Sequence, residues 1–534
     1  MPLATNSIKP RRPLPVLPAG PAAPAAGPAT QARRAHGGAA AGVRVGLVTL
    51  GCDKNTVDSE RLLATLLGTG ARVAAEADGA DVVVVNTCGF IDVAKEESVD
   101  ALLDAVRLKE RGRVGAVVAV GCLVQRYKQE LAQEIPEIDL FLGLTEADRL
   151  VPELRARGIL PAEADSPTME RPLRVLSTAT RHTSYLKISE GCDHSCAFCA
   201  IPLMRGRHRS TPIERLVREA RELEAAGVVE LNVVSQDTTW YGRDLLRGEA
   251  VDDGLYFAGK PFEGMAGRPT AQRGSGRVAE REIAGSPTRP LVHSPAPTSR
   301  HGLLPELLEA LLRETSIPWL RLFYMYPSGI YPELVELMAR EERILPYLDM
   351  PIQHGSDRVL KLMRRPERQV TIRERVSWLR DAIPELALRT TVIVGFPGET
   401  EEDFEAMLEL LEELRFDHLG AFAYSVEEGT SAAAMPDQVP EAVRRERLER
   451  VLDVQRGITL ERNEALVGRV APVLIDRLEP TGAAVGRTPW QALELDGAVL
   501  LRGAVNARPG DVVRARIVDA SEDDLVADLV QAGR

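Results

Sequence analysis

The sequence predicts an α/β protein built in three units: an open α/β sheet over residues 44–157, a partial (β/α)6 barrel over 178–463, and a small antiparallel β-barrel over 464–534. Three observations carry this reading. Valine-rich runs alternate with amphipathic stretches from residue 44 onward, the pattern of parallel strands covered by helices. Six further strand–helix repeats follow. After a long charged helix the chain then changes to short strands punctuated by turn residues, as in a small barrel. The length of 534 residues suits about three domains.

Residues 1–43 are rich in Pro, Ala and Gly, which reads as a disordered tail. A mitochondrial presequence would need an amphipathic helix that these prolines break. The first unit holds VRVGLVTLGC, DVVVVNTC and VGAVVAVGC, each followed by an amphipathic stretch: TVDSERLLATLL, EESVDALLDAVRL and VQRYKQELAQEI. Cys52, Cys88 and Cys122 each fall just past the carboxyl end of one of these strands. In open α/β sheets that edge binds ligands, so three thiols scattered in sequence are expected to converge in space.

A linker near 156–182 leads to the second unit. Its expected strands are SYLKIS, VELNVVSQD, WLRLFYMYP, YLDMPIQH, LRTTVIVGFPGE and HLGAFAYS. Parallel βα repeats of this kind place their site at the carboxyl ends of the strands. Residues 248–302 interrupt the series with Pro, Gly, Ser and Arg and are expected to form a disordered insertion. The third unit holds VAPVLIDRLEP, AAVGRTPW, GAVLLRG, DVVRARIVD and DDLVADLVQ.

Net charge is −12; residues 1–44 contribute six cations and no acid, so the rest of the chain carries −18. The terminal unit has eight Arg against eleven acids. Nucleic acid is therefore not favoured as the main partner. No apolar run approaches the ~20 residues of a membrane span, and a cytoplasmic, reducing setting is expected. In that setting six cysteines imply metal ligation or thiol chemistry rather than disulfides.

The remaining cysteines lie in ISEGCDHSCAFCAIP as Cys192, Cys196 and Cys199. Cys-x3-Cys-x2-Cys on a tight loop matches three corners of a 4Fe–4S cube and leaves the fourth iron open to a small molecule. A zinc site completed by His182, His194 or His208 is the competing reading, although none of these has the usual paired-ligand spacing.

CDHSCAFC at the first strand of a βα barrel, with Phe198 before the last cysteine, resembles the radical S-adenosylmethionine (SAM) superfamily. That resemblance implies a cluster on Cys192, Cys196 and Cys199 as the catalytic centre, chelating SAM and cleaving it with one electron to a 5′-deoxyadenosyl radical. A second cysteine triad on a preceding α/β domain and a small terminal β-barrel, similar to the TRAM fold, narrow the likeness to the methylthiotransferases. Cys52, Cys88 and Cys122 would then hold a second 4Fe–4S cluster, making all six cysteines metal ligands. LGCDKNTVDSE, VNTCGFI, GCLVQRY, VVSQDTTWYG, RTTVIVGFPGETEEDF and YSVEEGTSAA resemble the branch that modifies the β-carbon of an aspartate in ribosomal protein uS12. Asp53 stands where that branch more often has proline.

The implied reaction uses SAM as radical source and methyl donor, with sulfur delivered through the second cluster. It also implies a reduced flavodoxin- or ferredoxin-type electron donor. Two rivals remain at this point: a methylthiotransferase acting on tRNA adenosine, and a non-catalytic iron–sulfur protein. The latter would normally close each cluster with a fourth ligand.

Ser235, Gln236, Gln353 and Gly395 are candidate SAM-binding residues, being at strand ends that face the predicted mouth. Asp237, Asp349, His354 and Glu399 share that placement. Plainer alternatives are a structural His354 and a strand-to-helix turn in GFPGET with Thr400 as helix cap. Tyr324, Met325 and Tyr326 read as barrel packing.

Overall fold

The computed structural model describes residues 42–74, 76–162, 172–176, 180–248, 301–479, 483–503 and 507–530. The tail expected over 1–43 and the insertion expected over 248–302 lie outside them, apart from Gly42, Val43, Gly248, His301 and Gly302.

The first unit alternates strand and helix. Its elements are β1 (Arg44–Thr49), α1 (Asp53–Leu67), β2 (Arg72–Val73), β3 (Val82–Thr87), α2 (Asp92–Glu110), β4 (Ala116–Gly121), α3 (Cys122–Glu134), β5 (Leu140–Leu142) and α4 (Leu150–Ala156). The sheet order is β2-β1-β3-β4-β5, parallel throughout. Successive strand side chains serve opposite faces. Val82, Val84, Val118 and Val120 pack with Leu62 and Leu66 of α1; Val83, Val85, Val117 and Ala119 pack with Leu102, Val106 and Leu131 on the other side. Each buried Val is worth ~1.5–3 kcal/mol, which is why these runs carry no polar alternation.

The second unit follows the same logic on a larger scale. Its six long strands are β6 (Thr183–Lys187), β9 (Glu230–Val234), β10 (Trp319–Leu322), β11 (Ile344–Asp349), β12 (Ala387–Val394) and β13 (His418–Ala423); β7 (Ser189–Glu190) and β8 (Arg209–Ser210) form a short ribbon. They stand in the order β13-β12-β11-β10-β9-β6, all parallel. The helices are α5 (Ile201–Arg205), α6 (Ile213–Ala225), α7 (Arg243–Leu246), α8 (Leu304–Glu314), α9 (Pro332–Arg340), α10 (Asp357–Leu362), α11 (Gln369–Ala382), α12 (Glu401–Leu414) and α13 (Glu441–Glu464). Leucine-rich faces of α6, α8, α9 and α12 bury against the strands in one continuous core. No helix among the described residues is long and apolar enough to cross a membrane.

The terminal unit comprises β14 (Val470–Leu478), β15 (Ala484–Arg487), β16 (Val499–Arg502), β17 (Val512–Ala520) and β18 (Leu525–Leu529), closed in the order β14-β15-β16-β18-β17. The expectation of a purely antiparallel barrel needs one correction. β16 and β18 pair in parallel, because the intervening β17 returns the chain between them in direction while pairing with β14 and β18. Its core runs on into the floor of the larger barrel, where Trp319, Phe323, Leu345 and Tyr347 pack with Val473, Ile475 and Trp490. Polar contacts seal this floor. Glu230 meets Arg321 at 2.7 Å and Arg487 at 2.6 Å; burial disfavours its carboxylate, but the two cations hold its pKa down to about 2.

Helix α1 departs most from expectation. Its sequence is amphipathic, but both faces are covered and thirteen of its fifteen residues are buried. Its polar side lies against the larger barrel. Arg61 pairs with Glu219 at 2.9 Å and Arg174 with Glu219 at 3.0 Å. Arg174 also meets Glu60, and Lys187 meets Asp58. Buried charges are tolerated only when paired in this way.

Candidate active site

Cys52, Cys88 and Cys122 sit at the carboxyl ends of β1, β3 and β4, three adjacent strands. Cys52 is exposed, and the other two are buried. Cys88 Sγ would lie 2.8 Å from a Cβ at position 51, immediately before Cys52. Two glycines permit the approach. Gly51 has φ +85°, and a Cβ there would stand 2.7 Å from the Cys88 Cβ. Gly121 has φ +104°, and a Cβ there would meet the Thr87 carbonyl oxygen at 2.5 Å. Asn55 fastens the arrangement by donating to Leu50 O at 2.9 Å and to Thr87 O at 3.1 Å.

Cys192, Cys196 and Cys199 occupy the loop between β7 and α5. The loop is anchored by Cys192 N donating to Gly206 O at 3.1 Å and Ala197 N to Met363 O at 2.9 Å. Cys196 Sγ lies 3.0 Å from the Tyr326 hydroxyl. The Tyr326 ring stacks on His194 at 4.0 Å, and the Arg365 guanidinium covers its other side at 3.8 Å.

Burial raises the pKa of four of these thiols: Cys88 to about 11, Cys122 and Cys199 to about 12, and Cys192 further. Such groups become thiolates at neutral pH only beside strong positive charge, which bound iron provides. The donor set therefore fits a sulfur-ligated iron cluster. Zinc fits less well, because every candidate histidine is engaged elsewhere. His182 Nε2 lies 3.0 Å from Asp476, His194 Nε2 lies 2.7 Å from Asp237, and His208 Nε2 lies 3.1 Å from Ser210 Oγ. Among the described residues no three His, Cys, Asp or Glu side chains group closely enough to hold one metal ion.

The two triads share scaffolding. Cys122 packs against Ala200 and Met204, the residues that follow Cys199. At the end of α5, Arg205 donates to Asn55 Oδ1 at 2.6 Å, and Asn55 Oδ1 lies 3.7 Å from Cys122 Sγ. Arg205 also meets Asp58 at 3.1 Å and Glu190 at 2.8 Å. Neither Asn55 nor Arg205 was singled out from sequence, since nothing marks which polar side chains of α1 and α5 face each other.

Ser235 and Gln236 directly follow β9. Ser235 Oγ and Gln236 Oε1 are buried with no hydrogen-bond partner among the described residues, as expected of groups awaiting a polar ligand. Asp237 is drawn to the first triad through His194. Gln353 has φ +70° and extends the β11–β12 pairing through its backbone, with N donating to Thr391 O and O accepting from Ile393 N, both at 2.8 Å. Gly395 packs against Arg444 of α13, whose Cγ would lie 2.1 Å from an added Cβ. His354 is fully buried and 3.3 Å from Glu399, which itself pairs with Arg447 at 2.8 Å; these two brace the strand-to-helix turn. Thr400 caps α12, accepting from Asp403 N. Asp349 accepts from Arg389 at 3.0 Å and from Tyr324 N at 3.1 Å. The packing reading holds for Met325, which is fully buried in the core, but Tyr326 also meets a cysteine of the first triad.

Sequence comparisons match three successive parts of this chain. The family descriptions that match are uncharacterized protein family UPF0004 over residues 44–143, the radical SAM superfamily over 186–264 and 279–411, and the TRAM domain over 467–530. The ribosomal protein uS12 methylthiotransferase RimO of Symbiobacterium thermophilum is 44% identical over 500 residues, covering 92% of this chain and 91% of that protein. The protein of the same name from Anaeromyxobacter sp. (strain Fw109-5) is 44% identical over 495 residues, covering 92% and 94%. Among solved structures, the radical SAM methyltransferase TsrM of Kitasatospora setae matches with TM-score 0.46 and 14% identity over 71% of this chain and 72% of that one.

Proposed function

Because this chain belongs to the RimO family of ribosomal protein uS12 methylthiotransferases within the radical SAM superfamily, we propose that it attaches a methylthio group to the β-carbon of an aspartate in uS12. The observation that carries the reading is the pairing of two cysteine triads through one shared scaffold, Cys122 against Ala200 and Met204. We assign Cys192, Cys196 and Cys199 to a first 4Fe–4S cluster and Cys52, Cys88 and Cys122 to a second. When bound, the clusters and SAM would supply one-electron cleavage chemistry, sulfur and a methyl group.

The chain's own residues do the rest. The turns at Gly51 and Gly121 set Cys52 and Cys122 at the sheet edge that also carries Cys88, and the loop anchored at Gly206 and Met363 carries the other three cysteines. The Tyr326 hydroxyl meets Cys196, and the Arg365 guanidinium shields that side from water. Ser235 and Gln236 offer unpaired polar atoms for the SAM methionyl or ribose groups; Gln353 and Gly395 shape the same strand-end rim. The ion pairs of Arg205, Lys187 and Arg174 hold α1 against the barrel, so the relative placement of the triads is fixed before substrate arrives. A reduced ferredoxin- or flavodoxin-type protein is the proposed electron donor.

The test is anaerobic reconstitution with iron and sulfide, then reductant, SAM, and uS12 or total tRNA in parallel, read by mass spectrometry. One methylthio addition on a uS12 aspartate is expected. Addition to tRNA adenosine alone would overturn the substrate while keeping the chemistry. Replacing either triad by alanine should remove roughly half of the bound iron, since each triad holds one of two like clusters.

A further inference from the structure

The mouth of the barrel holds a buried cation with spare hydrogen-bonding capacity. Lys54 lies on the first turn of α1, two residues after Cys52, and its side chain is 8% exposed. An ammonium carries three N–H donors. Among the described residues Nζ meets one carboxylate, Asp53 Oδ1 at 3.3 Å, and otherwise lies 3.1 Å above the Tyr324 ring. The neighbouring cations are more fully engaged. Lys187 has Asp58 and Glu190; Arg205 has Asp58, Glu190 and Asn55; Arg389 has Asp349 and Asp496.

Tyr324 locates this cation. Its backbone joins the carboxyl ends of three strands, since its N donates to Asp349 Oδ2 at 3.1 Å and its O accepts from Thr238 N at 3.1 Å. It holds φ +58°, a conformation costly for a tyrosine and maintained here by those bonds. Its hydroxyl donates to Asp53 Oδ1 at 3.3 Å. One aspartyl carboxylate thus already accepts from the Tyr324 hydroxyl and lies within ion-pair distance of Lys54. They stand between the Cys52 turn and the barrel mouth.

We propose that Lys54 and the Tyr324 hydroxyl form the receptor for the carboxylate of the substrate's aspartyl side chain, with Asp53 as a resident stand-in that the substrate displaces. The proposal rests on the uS12 reading above and names the group that selects aspartate. Fixing that carboxylate leaves its β-carbon beside the Cys52 turn, where the group is to be added. The displaced Asp53 carboxylate stays at the N-terminus of α1, where the helix dipole favours it.

The test uses the full reconstituted chain and two probes, uS12 and uS12 with its target aspartate changed to asparagine. Fluorescence anisotropy gives Kd, and methylthiolation gives KM. The intact enzyme binds the aspartate form more tightly. Lys54→Met weakens that binding roughly 10- to 100-fold, the range of one charged hydrogen bond, and leaves the asparagine form unaffected. Lys54→Arg recovers part of the preference, and Asp53→Ala tightens binding of the aspartate form. Unchanged discrimination in Lys54→Met overturns the receptor while the uS12 reading stands. If Lys54→Met does not fold, unaltered binding in both Lys54→Arg and Asp53→Ala overturns it instead. An intact enzyme that adds nothing to uS12 brings down the substrate reading, and this proposal with it.

Discussion

Replacing Arg205 by methionine should loosen the contact between the two triad-bearing units without unfolding either. The side chain is 1% exposed and lies between Asp58 and Glu190, with Asn55 at 2.6 Å. Methionine keeps much of the volume and removes the charge, leaving two buried carboxylates to share Lys187. Breaking a buried pair from one side costs about 3–5 kcal/mol, which corresponds to roughly a 10²- to 10⁴-fold loss of amide protection where the interface opens. Hydrogen exchange is the assay, and the effect should concentrate in α1 and the β7–β8 ribbon while α2, on the far face of its sheet, stays protected. Titrating the intact protein provides a parallel check. Burial disfavours the Glu190 carboxylate, but Arg205 and Lys187 outweigh it and hold its pKa near 2, below the ordinary 4.5. Since the folded value is depressed, its contribution is full above pH 4.5 and is lost as pH falls toward 2. Protection of α1 should fall over that window in the intact protein and less steeply in the variant. A change of less than about tenfold at neutral pH, or a uniform loss across α2 as well, would refute the reasoning.

Three further outcomes are expected. Tyr326→Phe removes the hydroxyl 3.0 Å from Cys196. A hydrogen bond worth about 0.5–1.5 kcal/mol then no longer favours the reduced state, so the potential of the first cluster should fall by about 20–60 mV in an EPR-monitored titration. Gly51→Ala forces a Cβ to 2.7 Å from the Cys88 Cβ at φ +85°; strain of about 1–3 kcal/mol should lower the melting temperature and reduce iron at the second triad alone. Glu230→Gln leaves Arg321 and Arg487 without their shared carboxylate. Tryptophan fluorescence from Trp319 and Trp490 should report urea unfolding of the terminal barrel at about 3–5 kcal/mol lower stability. The intact protein's loss of stability between pH 4.5 and 2 should be correspondingly reduced in that variant, because the Glu230 pKa is held at about 2.

The sequence by itself determined the strands, the helices and the location of the thiols. Val82–Val85 of β3 and the whole of β4 are unbroken apolar runs because both of their faces are covered, and a cysteine after each of three parallel strands must reach the same sheet edge. The Cys192–Cys199 spacing is likewise local, and so is the Thr400 cap on α12. What sequence could not supply was the identity of partners across units. The polar side of α1 carried no sign of its partner, because the same residues suit water or a matched set of buried charges. Only the docking of α1 on β6 and α6 showed that Asp58, Glu60 and Arg61 have partners at 187, 174 and 219. Tyr324 and Tyr326 looked like packing for the same reason: a tyrosine's hydroxyl acquires a role only when its neighbour is known. Local periodicity fixes which face of an element is buried. Which distant charge or thiol meets it depends on long-range geometry that no short stretch of sequence encodes.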